Sequence, residues 1–326
     1  MKNTPAWIWH NGQFVPWADA NVHVMAHGLH YGSSVFEGIR CYETESGPAA
    51  FRLDDHLQRL FESCKMYRME SPFDYATIRQ ACCDVISRND LTDAYIRPII
   101  FRDADGLGLA PTSDHPIGCS VMAFEWGPLH GAEAMEKGNN VGISSWRRLS
   151  SATNPVMSKA VGHYLTSQLI AMEARQNGYD AGLAVNDTGS LVEGAGANVF
   201  LFHKGQLLTP GLGLSILDGI TRNTVLAIAK RLEVPIVETQ IPRELIYRAE
   251  EVFLAGTAAE VSPIRSVDGI EIGNGKPGPV TRKFQSQYKD IVTGRAQYDP
   301  SWLAFVDSKS NRGNDVPSTT GESVNA

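Results

Sequence analysis

Mixed α+β sheets in two domains are the architecture that the sequence predicts, on three observations. Segments of strand and helix character are interspersed along the chain without a regular βαβ period, which argues against a doubly wound parallel sheet. The 326 residues suffice for about two domains at roughly 100–200 residues each. A composition break at Gly127-Pro128, followed by small residues up to Gly138, marks where to divide them. The expected organisation is a first domain over 1–126, an inter-domain loop over 127–138, a second domain over 139–306 and a disordered tail over 307–326. The tail is rich in Ser, Asn, Gly and Thr and has almost no large apolar residue, so it cannot bury enough surface to fold.

Each element follows from its local pattern. Trp7–Pro16 reads as a hairpin, with apolar arms around Asn11-Gly12, a pair that favours a type I′ turn. Asp54–Met66 is a helix because Leu57, Leu60, Phe61 and Cys64 recur at i, i+3, i+4 and i+7. Asp74–Ser87 is another, through Ile78, Cys82, Val85 and Ile86. Tyr95–Phe101 and Cys119–Phe124 are strands by their β-branched and aromatic content. Beyond the break, Val141–Ser145, Gly182–Val185, Leu191–Val192, Val199–Phe202 and Val252–Ala255 read as strands. Tyr164–Gln176, ended by Gly178, and Thr221–Leu232 and Thr281–Val292 read as helices.

Charge and composition exclude several classes. The 29 Lys+Arg against 36 Asp+Glu leave a net charge of −7. With no block of basic residues, that argues against phosphate-driven nucleic-acid binding. No uncharged apolar run reaches about 18 residues, the length of a membrane span. Met1–Gly12 has no apolar core of a secretory signal. Cys41, Cys64, Cys82, Cys83 and Cys119 are odd in number and form no C-x-x-C pair, so they are expected to be buried thiols in a reducing cytoplasm.

Two motifs invite a functional reading and lose it. Gly273-Asn-Gly275-Lys-Pro-Gly278 spells G-x-G-x-x-G ahead of a helix, but no βαβ unit follows, and Pro277 and Pro279 crowd the turn. A tight connection into the last helix is the better account. His23, His27 and His30 have the spacing of metal ligands on a helix. Gly28 and Gly32 spoil that helix and no Cys or carboxylate accompanies it, so packed or surface histidines, and no metal, are expected. No P-loop, G-x-S-x-G or H-E-x-x-H is present.

Lys159 stands apart from the other lysines. Its surroundings, from Asn154 to Tyr164, are small or apolar with no neighbouring carboxylate. A desolvated lysine can form an imine, although a snorkelling surface lysine is the competing account. Glu193 shifts the balance. It lies in an apolar strand running into Gly194-Ala-Gly-Ala, where a carboxylate is costly unless paired. Leu217-Asp-Gly219-Ile220-Thr221 opens a helix whose backbone N–H groups suit a phosphate. Ala255-Gly256-Thr257-Ala258-Ala259 is a second small-residue turn with donors. A reactive lysine, a buried acid and two anion-binding turns together suit pyridoxal phosphate.

At these residues the chain resembles a known family. Glu193-x-Ala195-x-x-Asn198-Val199-Phe200, Leu207-x-Thr209 and Leu217-x-Gly219-Ile220-x-Arg222 are similar to the class IV aminotransferase signature. His27 to Arg40, Ala94-Tyr95-Ile-Arg97-Pro98, Gly106-Leu-Gly108-Leu109 and Phe253 to Glu260 look like the bacterial branched-chain amino-acid aminotransferases, and the likeness runs from about Trp7 to Leu303. The resemblance implies a fold-type IV enzyme, like the D-amino-acid aminotransferases. It has a small N-terminal α/β domain, a large C-terminal domain and pyridoxal 5′-phosphate between them. It implies that Lys159 carries the cofactor as an imine, Glu193 pairs with the ring nitrogen and Tyr164 donates to the ring's phenolic oxygen. Arg59, Leu217, Gly219, Ile220, Thr221, Gly256 and Thr257 complete the cofactor site. For the substrate it implies walls from Phe36, Tyr164, Trp126 and Ala258, with Gly38 beside the α-carboxylate. Arg97, helped by Tyr95, meets the γ-carboxylate, and Tyr31 and Leu109 reach in from a neighbouring subunit.

The activity so implied is ping-pong transfer of the amino group of L-Leu, L-Ile or L-Val to 2-oxoglutarate, by a homodimer or a hexamer acting on small molecules alone. An (R)-amine or D-amino-acid transaminase and an aminodeoxychorismate lyase share the fold and are the alternatives; the Tyr95-x-Arg97 pair and Gly106 to Leu109 favour the branched-chain enzyme. One departure stands out. Leu129 occupies a position where the family pattern carries Tyr.

Overall fold

The computed structural model describes residues 4–106, 108–127 and 131–306. The expectations for Leu107, Leu129 and the 307–326 tail lie outside the described residues. Two sheets build the core. The first is antiparallel, in the spatial order Leu303–Phe305, Gly47–Phe51, Ile39–Thr44, Ala94–Arg102, Ile117–Glu125, Trp7–His10 and Gln13–Pro16. Ser34–Phe36 pairs beside Ala94–Arg102. Helices Leu53–Met66 and Tyr75–Arg88 bury Leu57, Leu60, Ile78, Cys82, Val85 and Ile86 against Ile39, Ile96, Ile100 and Val121.

The second sheet is mixed, as expected. Its order is Ile236–Thr239, Gln206–Pro210, Asn198–His203, Glu251–Gly256, Glu260–Val267, Asn139–Arg147, Ala181–Val185, Ser190–Gly194 and Ile241–Pro242, with Ile270–Glu271 on Glu260–Val267. Asn139–Arg147 runs parallel to Ala181–Val185, with helix Tyr164–Gln176 as the crossover. A further pairing of Glu193 with Asn198 joins Ser190–Gly194 to Asn198–His203 and closes the middle strands into a ring. Helices Ile220–Arg231 and Pro279–Val292 cover this sheet through Val225, Ile228, Phe284 and Ile291, packed on Phe200 and Phe253.

Local patterning located the helices well. Tyr164–Gln176 forms over the expected span, with Gly178 at φ +79° just past its end. Asp74 caps Tyr75–Arg88, accepting from the Thr77 amide at 2.8 Å. Asn11 and Gly12 take φ 47° and 93°, as a type I′ turn requires.

Three expectations need correction. The loop expected over 127–138 contains a helix, Gly131–Lys137, stapled by a Glu133–Lys137 pair at 2.8 Å. The second domain expected over 139–306 does not keep its last strand: Leu303–Phe305 crosses back to pair with Gly47–Phe51. Gly28 does not prevent a short helix, His27–Tyr31; the chain turns only at Gly32, φ +66°.

The three histidine rings go to partners within the chain, and His27 reaches as far as the Gly108 carbonyl, 3.1 Å from its Nε2. His23 accepts from the Met25 amide, His27 lies 2.6 Å from the Ser33 hydroxyl, and His30 lies 2.9 Å from the Val24 carbonyl. The G-x-G-x-x-G segment joins Ile270–Glu271 to the last helix. The anion position at that helix start is filled by the protein itself: the Glu251 carboxylate accepts from the Val280 and Thr281 amides at 3.0 and 2.6 Å. A Cβ at Gly278 would lie 2.2 Å from Glu251, so glycine is needed there for space. All five cysteines are free; Cys41, Cys64, Cys82 and Cys119 are buried and Cys83 is partly so.

Candidate active site

Lys159 is held through its main chain by the first sheet and its helix. Its carbonyl accepts from the Phe36 amide at 3.0 Å, and its own amide donates to the Ser63 hydroxyl at 2.9 Å. Its Nζ donates to the Tyr164 hydroxyl at 2.5 Å and lies 5.0 Å from the Phe36 ring. Tyr164 opens helix Tyr164–Gln176 and packs edge-on to Phe36 at 4.8 Å. The amine therefore projects into a cleft of about 570 Å³, counting the space open to solvent.

Glu193 faces the same cleft from the ring closure, 4% exposed. Burial raises its pKa; the Arg148 guanidinium and the Leu217 amide oppose that shift without cancelling it. Arg148 lies 2.5 Å from Oε1, while Oε2 accepts from the Leu217 amide at 3.2 Å and from Asn198 Nδ2 at 3.3 Å. Asn198 also donates to the Leu217 carbonyl at 3.0 Å. A Cβ on Gly219 would sit 2.1 Å from Asn198 Oδ1, so only glycine fits beside it.

The elements expected to bind an anion line the same cleft. Arg59 is buried on helix Leu53–Met66. It donates to Glu37 at 2.6 and 2.8 Å and to the Asp218 carbonyl at 2.7 Å. Burial alone would raise the Glu37 carboxyl. The facing Arg59 and His56 override it and hold Glu37 well below the usual carboxylate range. Helix Ile220–Arg231 starts at Gly219 without a side-chain cap, so its first N–H groups are left for a ligand. Gly256 and Thr257 line the opposite turn. A Cβ on Gly256 would approach the Ala197 Cβ to 3.0 Å, so this turn packs closely on the Gly194-Ala-Gly-Ala turn after Glu193.

Next to this cleft stands an aromatic wall. The Arg97 guanidinium lies 4.6 Å over Phe36 and 5.3 Å over Tyr95, and Tyr95 is 5.0 Å from Trp126. Tyr95 crosses directly above Gly38, where a Cβ would meet its hydroxyl at 1.8 Å. Arg97 Nε and Trp126 Nε1 are buried donors with no hydrogen-bond partner among the described residues. Ala258 follows Thr257 in the turn. Tyr31 and Leu109 are not brought to the cleft by their own chain. They are 45% and 79% exposed and border a separate groove with His27 and His115.

The lysine, the acid and the small-residue turns expected from the sequence line one cleft, but nothing in the sequence signalled the residues that orient them. Arg148 and Glu37 were overlooked because their partners lie 45 and 22 residues away, and no local spacing signals either pair. The cost of a lone buried carboxylate at 193 was the available signal that some cation had to be near.

Residues 34–267 match the family model for class IV amino-transferases. The branched-chain-amino-acid aminotransferase of Escherichia coli (strain K12) is 46% identical over 300 residues, covering 92% of this chain and 97% of that protein. The crystal structure of the Escherichia coli branched-chain amino acid aminotransferase superposes with a TM-score of 0.91 at 45% identity, covering 93% of this chain and all of that one. The T.th. branched-chain amino acid aminotransferase, complexed with N-(5′-phosphopyridoxyl)-L-glutamate, superposes at 0.89 with 39% identity, covering 93% and 99%.

Proposed function

The chain belongs to the class IV aminotransferases, and on that premise we propose that it moves the amino group of L-leucine, L-isoleucine or L-valine to 2-oxoglutarate. The products are the 2-oxo acid and L-glutamate, formed in a ping-pong exchange with pyridoxal phosphate as cofactor. One observation carries the reading: the Lys159–Tyr164 pair, the Glu193–Arg148 pair and the Arg59 and Thr221 donors all line one cleft.

The residues present fit that cofactor. Arg59, the uncapped Ile220 and Thr221 amides and the Gly256-Thr257 turn would hold its phosphate. Glu193 would hold the ring nitrogen and Tyr164 the phenolic oxygen, with Leu217 and Gly219 shaping the ring's edge. When bound, the group supplies an imine-forming carbonyl and an electron-withdrawing ring. The chain supplies the proton chemistry. Lys159 Nζ takes the substrate Cα proton, holds it and returns it, and the Tyr164 hydroxyl aims that amine. Arg148 favours the ionised form of Glu193 against the cost of burial.

Phe36, Tyr164, Trp126 and Ala258 offer the substrate an apolar wall, which suits an aliphatic side chain. Thr257, Ala258 and the Gly38 backbone flank its α-carboxylate. Arg97, with Tyr95 beside it, meets the γ-carboxylate of glutamate. A second copy of the chain supplies Tyr31 and Leu109, as their exposure supports. We place the protein in the cytoplasm, in keeping with five free thiols. Among the described residues no helix is long and apolar enough to cross a membrane.

The test is a panel of amino donors (L-Leu, L-Ile, L-Val, D-Ala and (R)-1-phenylethylamine) with 2-oxoglutarate as acceptor. The three branched-chain L-amino acids are the expected substrates, and preferred turnover of D-Ala or of the amine would sink the reading. The Arg97→Ala variant separates the two halves of the reaction. Its kcat/KM for 2-oxoglutarate should fall about 10- to 100-fold, the range of a lost hydrogen bond to a charged group. That for L-leucine should change by less than about threefold, since an aliphatic chain makes no such bond. Equal losses would remove Arg97 from its role.

A further inference from the structure

Glu260 closes the turn that the proposed function assigns to the substrate α-carboxylate. Gly256 pairs with Glu260 in the antiparallel register, leaving Thr257, Ala258 and Ala259 as a three-residue loop. Such loops commonly end on a left-handed residue, usually glycine. Here that residue is Glu260, at φ +54°. A side chain at this φ is strained, so glycine would serve the backbone better. The carboxylate does what glycine could not. Its Oε1 accepts from the Tyr42 hydroxyl at 2.9 Å and faces Arg40 at 3.5 Å. Both partners are nearly fully buried on Ile39–Thr44 of the other sheet, with the Arg40 guanidinium 4.6 Å over the Tyr42 ring. Arg40 is in register with Tyr95, and Tyr95 stands over Gly38.

We infer that Glu260 is a positioning residue: its carboxylate ties the Thr257-Ala258 turn of the second sheet to Tyr42 and Arg40 of the first, and so fixes the turn for a substrate carboxylate. The strand that carries the aromatic wall and the turn that receives the carboxylate are thereby held in one frame. The inference rests on the reading that this turn binds the α-carboxylate.

The test uses the holoenzyme and three variants, Glu260→Gly, Glu260→Gln and Tyr42→Phe. Three quantities are read: KM and kcat for L-leucine, the Kd of 4-methylvalerate (a branched carboxylate with no amino group), and Tm. Glu260→Gly removes the strain and the tie together. Its KM and Kd should rise about five- to tenfold, as when a charge-assisted pair is lost. Its kcat should stay within about twofold of wild type, because the proton-transfer groups are untouched. Its Tm should fall, because Arg40 is left buried without its counter-charge and the relief of backbone strain is the smaller effect. Glu260→Gln keeps the Tyr42 bond and loses the charge, so it should fall between. Tyr42→Phe should shift Kd in the same direction by a smaller factor. A Kd for 4-methylvalerate within twofold of wild type in Glu260→Gly overturns the inference. If that variant does not fold, an unchanged Kd in Tyr42→Phe overturns it equally. Failure of the functional reading looks different: the wild-type protein itself would leave L-leucine unconverted.

Discussion

Lys159→Ala yields a folded protein whose transaminase turnover is lower by at least about four orders of magnitude. The size follows from what else could take the proton. The titratable groups nearest in the cleft are already engaged. Glu193 is held by Arg148, Asn198 and the Leu217 amide. His163 lies 2.8 Å from the Tyr67 hydroxyl. The Tyr164 hydroxyl would lose its 2.5 Å partner. Folding should survive, because residue 159 is gripped through its own main chain, by Phe36 and Ser63, and those bonds do not depend on the side chain. Circular dichroism and Tm close to wild type, with no measurable glutamate from L-leucine and 2-oxoglutarate, are the expected results. Turnover within tenfold of wild type would mean that another group moves the proton.

What could be read in advance divides by the range of the interaction. Helices were legible because their signal is local. The spacing of Leu57, Leu60 and Cys64 is the face that packs against the first sheet, and it survives any tertiary context. Ser34–Phe36, Ile39–Thr44 and Glu260–Val267 gave no such signal. They are buried on both faces for most of their length, so alternation is erased, and they contain Arg40 and Glu260, which read as surface residues. These charges are tolerated inside because each meets the other across 220 residues of chain, a pairing that no window can see. The same holds at the site. Lys159, Glu193 and the small-residue turns stand in recognisable strings. The groups that set their charge and direction, Arg148, Glu37 and His56, come from elsewhere in the sequence. The crossing of Leu303–Phe305 to the first sheet is likewise a matter of which edge was free, and the strand's three residues do not encode it.

Arg148→Met is the second change with a large expected effect, and its signature is a pair of opposite pH trends. Removing the cation leaves Glu193 buried and unpaired, a situation that costs about 3–5 kcal/mol of stability. The carboxyl answers by holding its proton to higher pH. In the wild-type fold its pKa is already raised above the ordinary 4.5 by burial, with Arg148 as the main opposing charge, so the variant moves it further in the same direction. A carboxyl with a raised folded-state pKa binds more protons folded than unfolded above that ordinary value. Stability is therefore greatest at low pH and falls as pH rises through the folded-state pKa. The Tm deficit of Arg148→Met against wild type should thus widen as the pH rises above the ordinary carboxylate value of 4.5. Activity should move the other way. A protonated Glu193 cannot hold a positive ring nitrogen, so kcat at low pH should approach that of Glu193→Gln, about 10²- to 10³-fold down, and recover as pH rises. The double variant Arg148→Met/Glu193→Gln removes the unpaired charge as well as its partner. It should be more stable than Arg148→Met alone and no less active than Glu193→Gln alone, because the two residues act as one unit. A Tm deficit that is constant across this range, or a double variant less stable than the single, would show that Arg148 supports the fold by packing and does not govern the charge of Glu193.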